Sequence, residues 1–507
     1  MLENLSQLSQ EAVAEFKKAV SAPDNGILAK TGVTQATGLV AYNLQAPAKN
    51  LFPVLTPIRN KLPRKPGNAG TGANWKRVTA INTNSLRGFV PEGSRNGVMA
   101  IATDDKSVPF KTIGMEDAIT YEAERAAQGF EDIRATQAQR LLWATMLEEE
   151  FAILGSNLSV ALGTPTAPTV VAADADSGTI GAQAGGYDCA VVALTHAGYL
   201  ASSLAGGVVQ QVSVTPADGG AAFTYGGGSS ALSAITTSAA TSGGASTLKL
   251  STPVVAGAVA YAWYVGVHSA AMKLQAITTI NSVKLTAVTT THQASSAITA
   301  DYSLNLLGYD GILSSAWASG SNAYIYNMAT GTAGTGTGLT ADNAGGISEI
   351  DAMLESMWTN YKLGPTTLYV NAQEAVNITK KLLKAPSNVG SGGVVVPLMG
   401  VAAGGDFTAG AMVSKYLNKY AMGGNSKFIP IEIHPWLPAG TMAAVTEQLP
   451  YPINNVPNVM EMLMRQDYYQ IEWPQRTRKY ETGVYADGAF AHYFPPSLGI
   501  ITNIANA

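Results

Sequence analysis

The chain has one cysteine, Cys189, among 507 residues, so no disulfide can form within it and its stability must come from packing. Charged residues are scarce at 13%, about half the usual share. Scarce charge beside abundant Gly, Ala, Ser and Thr points to β-rich regions and large interfaces between subunits, whose cores are poor in charge. No run of 18 apolar residues exists, which excludes a helical membrane span. The first residues carry Glu3, Glu11 and Glu15 and no long apolar run, unlike a secretory signal. The five histidines, His196, His268, His292, His434 and His492, are scattered and none has metal-ligand spacing; each reads as a polar surface or strand residue. The net charge of −4 carries no overall nucleic-acid signature. Catalytic motifs are missing as well. Gly331 to Gly338 lacks the Gly-Lys-Ser/Thr ending of a phosphate loop and reads as a flexible loop. Cys189 lies in an apolar strand and reads as an inert buried thiol. No cofactor or metal is expected.

The longest periodic stretch runs from Ile119 to Leu154. Ala126, Phe130, Ile133, Ala138, Leu141, Leu142 and Met146 recur three and four apart, the pattern of one amphipathic helix roughly 50 Å long. Thr120 is its expected cap, Gly155 its expected end and Gly129 the place for a kink or break. Glu148, Glu149 and Glu150 near its end read as a solvated or partner-facing patch, since adjacent residues do not share a helix face.

Before this helix the chain is basic. From Lys49 to Thr103 nine Lys or Arg (Lys49, Arg59, Lys61, Arg64, Lys65, Lys76, Arg77, Arg87, Arg95) face one acid, Glu92. Strand-like runs at Asn74–Ile81, Val98–Ala102 and Val108–Ile113 surround the turn-rich Gly88–Arg95. This is a long two-stranded β excursion, and an isolated hairpin needs a partner surface. Residues 1–48, with a short helix at Leu5–Val20, read as an arm lying on a neighbour.

After the helix the composition shifts. Only seven charged residues fall between Thr164 and Asp301. Seven short strands are expected there: Thr169–Ala173, Tyr187–Leu194, Val208–Val214, Thr247–Leu250, Val259–Val265, Met272–Ala276 and Val283–Val288. Their spacing resembles a β-sandwich of the immunoglobulin or fibronectin type III kind, with Ala-Tyr-Ala-Trp-Tyr-Val at 260–265 as the nearest local match. Helices around Ile350–Tyr361 and Ala372–Leu383, glycine-rich loops at 386–405, and aromatic-rich strands from Val459 to Ile504 complete the chain.

The outer segments together resemble a tailed-bacteriophage major capsid protein of the Hong Kong 97-type fold. The resemblance rests on Thr56–Arg64, Val90–Arg95, Phe110–Gly114 followed by the long helix, Asp467–Pro474 and the ending Tyr493–Ile504. It implies an α+β capsid fold: an N-terminal arm (1–48), a lead-in and extended β-loop (49–114), a spine helix in a peripheral domain (115–164, 301–364, with closing strands at 459–507) and an axial domain (365–458). The all-β sandwich at 165–300 is an insertion expected to project outward. The implied function is structural, without catalysis: self-assembly as pentamers and hexamers into an icosahedral virion shell around double-stranded DNA, bound without sequence specificity. The implied partners are further copies of the chain, a portal and a separate scaffolding protein, with a cement protein left open; assembly would take place in the host cytoplasm. Arg77, Arg87, Glu92, Arg95, Glu148, Glu149 and Glu150 are the candidate inter-subunit contacts, the basic loop of one copy meeting the acidic helix end of the next. An encapsulin-like compartment around a cargo protein and a β-sandwich adhesin or tail protein are the alternatives.

Overall fold

The computed structural model describes residues 54–67, 70–81, 88–96, 101–129, 132–342, 345–383, 412–420, 427–451 and 457–506. The expected arm (1–48), Arg87 and the glycine-rich loops at 386–405 lie outside the described residues.

The chain enters through a five-residue helix α1 (Pro57–Lys61) and strand β1 (Arg64–Pro66). Strands β2 (Gly72–Ile81) and β3 (Ile101–Pro109) pair antiparallel, from Gly72 opposite Pro109 to Ile81 opposite Ile101. This is the expected excursion, with its second strand three residues later than the pattern placed it. Strand β4 (Lys111–Thr120) follows, then helices α2 (Tyr121–Ala127) and α3 (Ile133–Gly155).

The single 119–154 helix is therefore not formed. Ile119 sits in a strand opposite Tyr480. Thr120 does cap a helix, accepting a hydrogen bond from Ala123 N, but that helix ends after two turns. Gly129 then takes a left-handed φ of 91° and Asp132 caps the next helix by accepting from Ala135 N. Two caps around a left-handed glycine outweigh the continuous apolar spacing. At 23 residues, α3 is about 35 Å long. Gly155 lies inside its last turn, where the His196 ring would meet an added Cβ at 2.4 Å. Close approach, and not helix termination, calls for glycine there.

Strands β5 (Thr169–Ala173), β6 (Tyr187–Leu194), β7 (Gln211–Val214), β8 (Phe223–Gly226), β9 (Thr236–Thr237), β10 (Thr247–Ser251), β11 (Ala260–Val267), β12 (Lys273–Thr278) and β13 (Ser282–Leu285) fill the low-charge region, with α4 (His196–Ala201) among them. They form a three-stranded sheet β13-β10-β5, a four-stranded sheet β12-β11-β6-β9 and a β7–β8 hairpin. Alternation along β11 sorts its side chains. Tyr261, Trp263 and Val265 join Cys189, Val191, Leu248, Leu250 and Val283 in one core drawn from both sheets. Ala260, Ala262 and Tyr264 face the other way and belong to the main core of the chain. Every residue of β6 is buried, because both faces of its sheet are covered. The region is tied to the rest by more than its two ends. Asn503 Nδ2 donates to Asn281 Oδ1 at 3.0 Å, Asn281 N donates to Asn503 Oδ1 at 2.7 Å, and His196 Nε2 meets Trp436 O at 2.9 Å. The loop from Gly331 to Gly338 is packed against it too, with Gly334 N donating to Ser282 Oγ at 3.1 Å.

The remaining elements are α5 (Ile312–Trp317), β14 (Tyr324–Asn327), α6 (Ser348–Tyr361), β15 (Thr367–Val370), α7 (Ala372–Leu383), β16 (Lys415–Leu417), β17 (Phe428–Ile433), β18 (Met442–Val445), β19 (Met460–Glu472), β20 (Lys479–His492) and β21 (Gly499–Thr502). Two sheets organise them. In the first, order β1-β19-β20-β4, the long hairpin β19–β20 is flanked by β1, parallel to β19, and by β4, antiparallel to β20; α3 lies against β4 and β20. The second is six-stranded and mixed, order β14-β21-β18-β15-β17-β16, and takes strands from 324 to 502. The architecture is mixed α+β.

Candidate functional site

The ribbon β2–β3 is the feature that the rest of the fold positions, and its root is built from buried charge. Helix α1 starts with Pro57 at its first position, and Thr56 makes no capping bond to it. The open N–H groups of Ile58 and Arg59 instead donate to the two carboxylate oxygens of Glu150, at 3.0 and 2.7 Å. A carboxylate 91 residues away thus caps the helix and suits its positive end. Glu150 Oε1 also receives His434 Nε2 at 2.7 Å, and both side chains are fully buried. Trp436 N donates to His434 Nδ1 at 3.3 Å, which assigns the proton to Nε2 and makes the ring a donor to Glu150.

Glu149 neighbours this pair and is 2% exposed. Arg64 Nη1 reaches both of its oxygens, at 2.9 and 3.0 Å; Arg59 Nε donates to Oε2 at 2.9 Å; and the Tyr468 hydroxyl donates to the same oxygen. The two guanidinium groups sit over the Tyr468 ring, 5.1 and 5.0 Å from its centre, and Arg64 also pairs with Asp467 at 2.8 Å. Burial first, and then Glu149, push the Tyr468 phenol well above its usual range. The cluster fixes the entry segment to the end of α3 and to β19. A buried carboxylate with several charge-assisted partners is tolerated because every oxygen is occupied.

Above this root the ribbon lies on the body by one face only. Val78 N donates to Tyr493 O at 2.9 Å, Trp75 Nε1 to His492 O at 3.2 Å and Asn322 Nδ2 to Thr79 O at 2.8 Å. Arg77 is buried beneath the ribbon and pairs with Asp104 across the two strands at 2.6 Å. The first five residues of β3 are exposed, and the turn residues 88–96 are exposed throughout. At the turn Phe89 is 104% exposed, with exposed Val90 beside it and exposed Ile101 at the start of β3.

The sequence-based candidates divide accordingly. Glu92 and Arg95 lie on the exposed turn. Arg77 is engaged by Asp104 of its own chain. Glu149 and Glu150 are not a solvated patch: both are buried and fully engaged within the chain, and Glu148 beside them is half-buried. The reason is that the last turns of α3 are covered on most of their circumference, so Glu149 and Glu150 are both buried although they do not share one helix face. Basic residues do meet the acidic helix end, but they are Arg59 and Arg64 of the same chain. His434, His196 and His492 are buried and not surface residues. Cys189 is buried, and burial pushes its thiol up to about 12. Residues overlooked in the sequence are His434, Tyr468 and Asp467. The pairing of a Glu triplet with the Arg59–Arg64 segment was the available signal for part of the cluster.

Neither a protein-family model nor a curated protein matches the sequence. Among solved structures, the chain is similar to the capsid protein of cyanophage A-1(L), with 12% identity over 93% of this chain and 98% of that one and a TM-score of 0.39. It is similar to a capsid protein of an empty GTA particle, with 9% identity, coverage of 95% and 99% and a TM-score of 0.39. It is also similar to the SrpI encapsulin of Synechococcus elongatus, with 7% identity, coverage of 93% and 94% and a TM-score of 0.37. Among the described residues no group of three or more metal-ligating side chains comes together, and no helix is long and apolar enough to cross a membrane.

Proposed function

We propose that this chain is the subunit of a closed protein shell, a major capsid protein of the tailed-phage kind whose rings of five and six copies enclose double-stranded DNA. The observation that carries the reading is the ribbon. It is anchored at a rigid, charge-saturated root, docked by one face, and ends in a turn with a fully exposed phenylalanine. A two-stranded ribbon gains little stability alone, and an exposed apolar tip flanked by Glu92 and Arg95 suits a second copy of the same protein. In this reading residues 1–48 are the arm, 49–114 the lead-in and overlapping loop, α3 the spine, and 365–458 the axial part near the ring centres. Residues 165–300 are an immunoglobulin-like sandwich docked on the outer side of the shell. A portal and a separate scaffolding protein would act with it during assembly in the host cytoplasm.

Electron microscopy of the purified chain, alone and co-expressed with its genomic neighbours, tests the reading. Closed shells tens of nanometres across, holding DNA that is protected from added nuclease until the shell is opened, are the expected result. Shells filled with a cargo protein would make this a cellular compartment, and uniform small particles under every condition would remove the shell reading. The double charge reversal Arg87→Glu with Arg95→Glu should block shell formation while leaving the monomer folded; normal shells from that variant would remove the ribbon from the argument.

A further inference from the structure

A cavity of about 210 Å³ lies beside the ribbon root, between α1, β15 and the start of β19. Ile58, Leu62, Tyr369 and Met460 form its floor, and all four are buried. Lys61 and Glu447 stand at its mouth, the first exposed and the second half-buried. Folded interiors leave few spaces larger than a water molecule, and an apolar cavity of about 150 Å³ takes a benzene ring. This one has room for a phenyl ring with its methylene. Water over an apolar floor is poorly held, so an apolar group that displaces it gains affinity.

The ribbon tip carries the matching group. Ser94 N donates to Pro91 O at 3.1 Å and Gly93 takes a left-handed φ of 75°, so the tip is a closed turn and not a loose end. Phe89 stands just before that turn with its ring wholly in solvent. Glu92 and Arg95 on the same turn form no ion pair among the described residues. The cavity mouth carries one charge of each sign as well. Lys61 pairs with Glu432 at 2.5 Å, and the Glu447 carboxylate receives only the Thr367 hydroxyl, at 3.4 Å. A small molecule in the cavity would leave Phe89 uncovered. A ring from a second copy covers both the phenylalanine and the floor, and brings a base to Glu447 and an acid to Lys61.

We propose that the Phe89 ring of one copy seats in this cavity of the next copy, between α1 and Tyr369, with Arg95 drawn to Glu447 and Glu92 to Lys61. The inference rests on the shell reading and adds to it the surface that receives the ribbon. The contact is head-to-tail: each copy gives one ring and receives one, so a closed ring of copies leaves no phenylalanine bare and no cavity open. One wall of the cavity is α1, the helix that Glu150 caps. The buried charges that hold the root of the ribbon therefore also hold the socket in shape.

The test uses full-length chains, with electron microscopy reporting shell formation separately. Val90→Cys and Gln448→Cys, combined in one chain, place one thiol beside the inserted ring and one at the exposed mouth of the cavity; the native Cys189 is buried. Mild oxidation of assembled shells should link chains into ladders that end at rings of five and six on a non-reducing gel, and neither single variant should do so. Phe89→Ala should raise the concentration needed for assembly about tenfold or more, from the apolar area that a buried phenylalanine takes out of water. Phe89→Leu should recover most of that loss. The melting temperature of the monomer should be unchanged in both, because the ring is exposed there. Shells without a ladder, disulfides formed only within single chains, or a Phe89→Ala chain that assembles within about twofold of the parent would each overturn the socket and leave the shell reading standing. A chain that forms no shell under any condition would overturn both.

Discussion

Replacing Glu150 by alanine tests how the ribbon root is held. The substitution removes the acceptor for three donors, the buried N–H of Ile58 and His434 Nε2 and the part-buried N–H of Arg59. Each buried donor left unpaired costs about 1–3 kcal/mol, and the lost capping interaction lies within that range. Three such losses span about 3–9 kcal/mol; the Arg59 N–H is only part-buried, which favours the lower part, about 3–5 kcal/mol, a large part of the stability of an ordinary domain. Because the damage is local, hydrogen exchange is the sensitive assay. With about 1.4 kcal/mol per tenfold change, a loss of 3 kcal/mol predicts amide exchange at Ile58 and Arg59 roughly 100-fold faster. Glu150→Gln keeps one oxygen acceptor and should show a smaller effect, on the order of tenfold. Exchange at both amides within about threefold of the parent in Glu150→Ala would refute the cap, since that span is under 1 kcal/mol.

Further outcomes follow from the same structure. Removing one partner of the Glu149 cluster, as in Glu149→Ala, leaves two guanidinium groups without their buried counter-ion and should cost about 3–5 kcal/mol in a denaturant titration; the triple change to Met at Glu149, Arg59 and Arg64 should recover much of it. Burial, and next the charge of Arg77, push His492 down to about 3. The unfolded chain therefore takes up a proton below pH 6.5 that the folded chain refuses, and stability should fall by about 1.4 kcal/mol per pH unit between 6.5 and about 3. His492→Phe should flatten that slope. Glu374 is buried with its Oε2 unpartnered, and burial raises it to about 7. The sign is opposite: its contribution is complete below the ordinary carboxylate range and is lost as pH rises through 7, by about 3 kcal/mol in all. Melting curves of Glu374→Gln between pH 5 and 8 should lack that loss. Finally, Asn503 stands at a left-handed φ of 62° and bonds Asn281, so Asn503→Ala should loosen residues 165–300 from the body and open that segment to limited proteolysis.

The local patterns in the chain carried much of the secondary structure. Strands Thr169–Ala173 and Tyr187–Leu194 lie where β-branched runs between turn residues place them, and the period of two along 260–265 is the one that divides its side chains between two cores. The ribbon was legible because two strand-like runs flank a Gly- and Pro-bearing turn. Nearest-neighbour chemistry decides such features, and the sequence displays it directly. The helix break at Gly129 was half legible: the glycine and the Thr120 cap were visible, but spacing alone could not show that Asp132 starts a second helix.

What the tertiary structure alone decided is the fate of the charges and of both faces of the covered elements. Glu149, Glu150 and His434 look like surface residues one at a time. They become interior because α1, β19 and the 434–437 loop converge on the end of α3 from positions up to 319 residues away, and each arrives with the donor that a buried carboxylate requires. Strand β6, and β11 up to Gly266, are buried on both faces for the same reason: a second layer from distant sequence covers the side that alternation leaves open. Periodicity records which residues share a face, but burial of that face depends on what long-range packing brings against it.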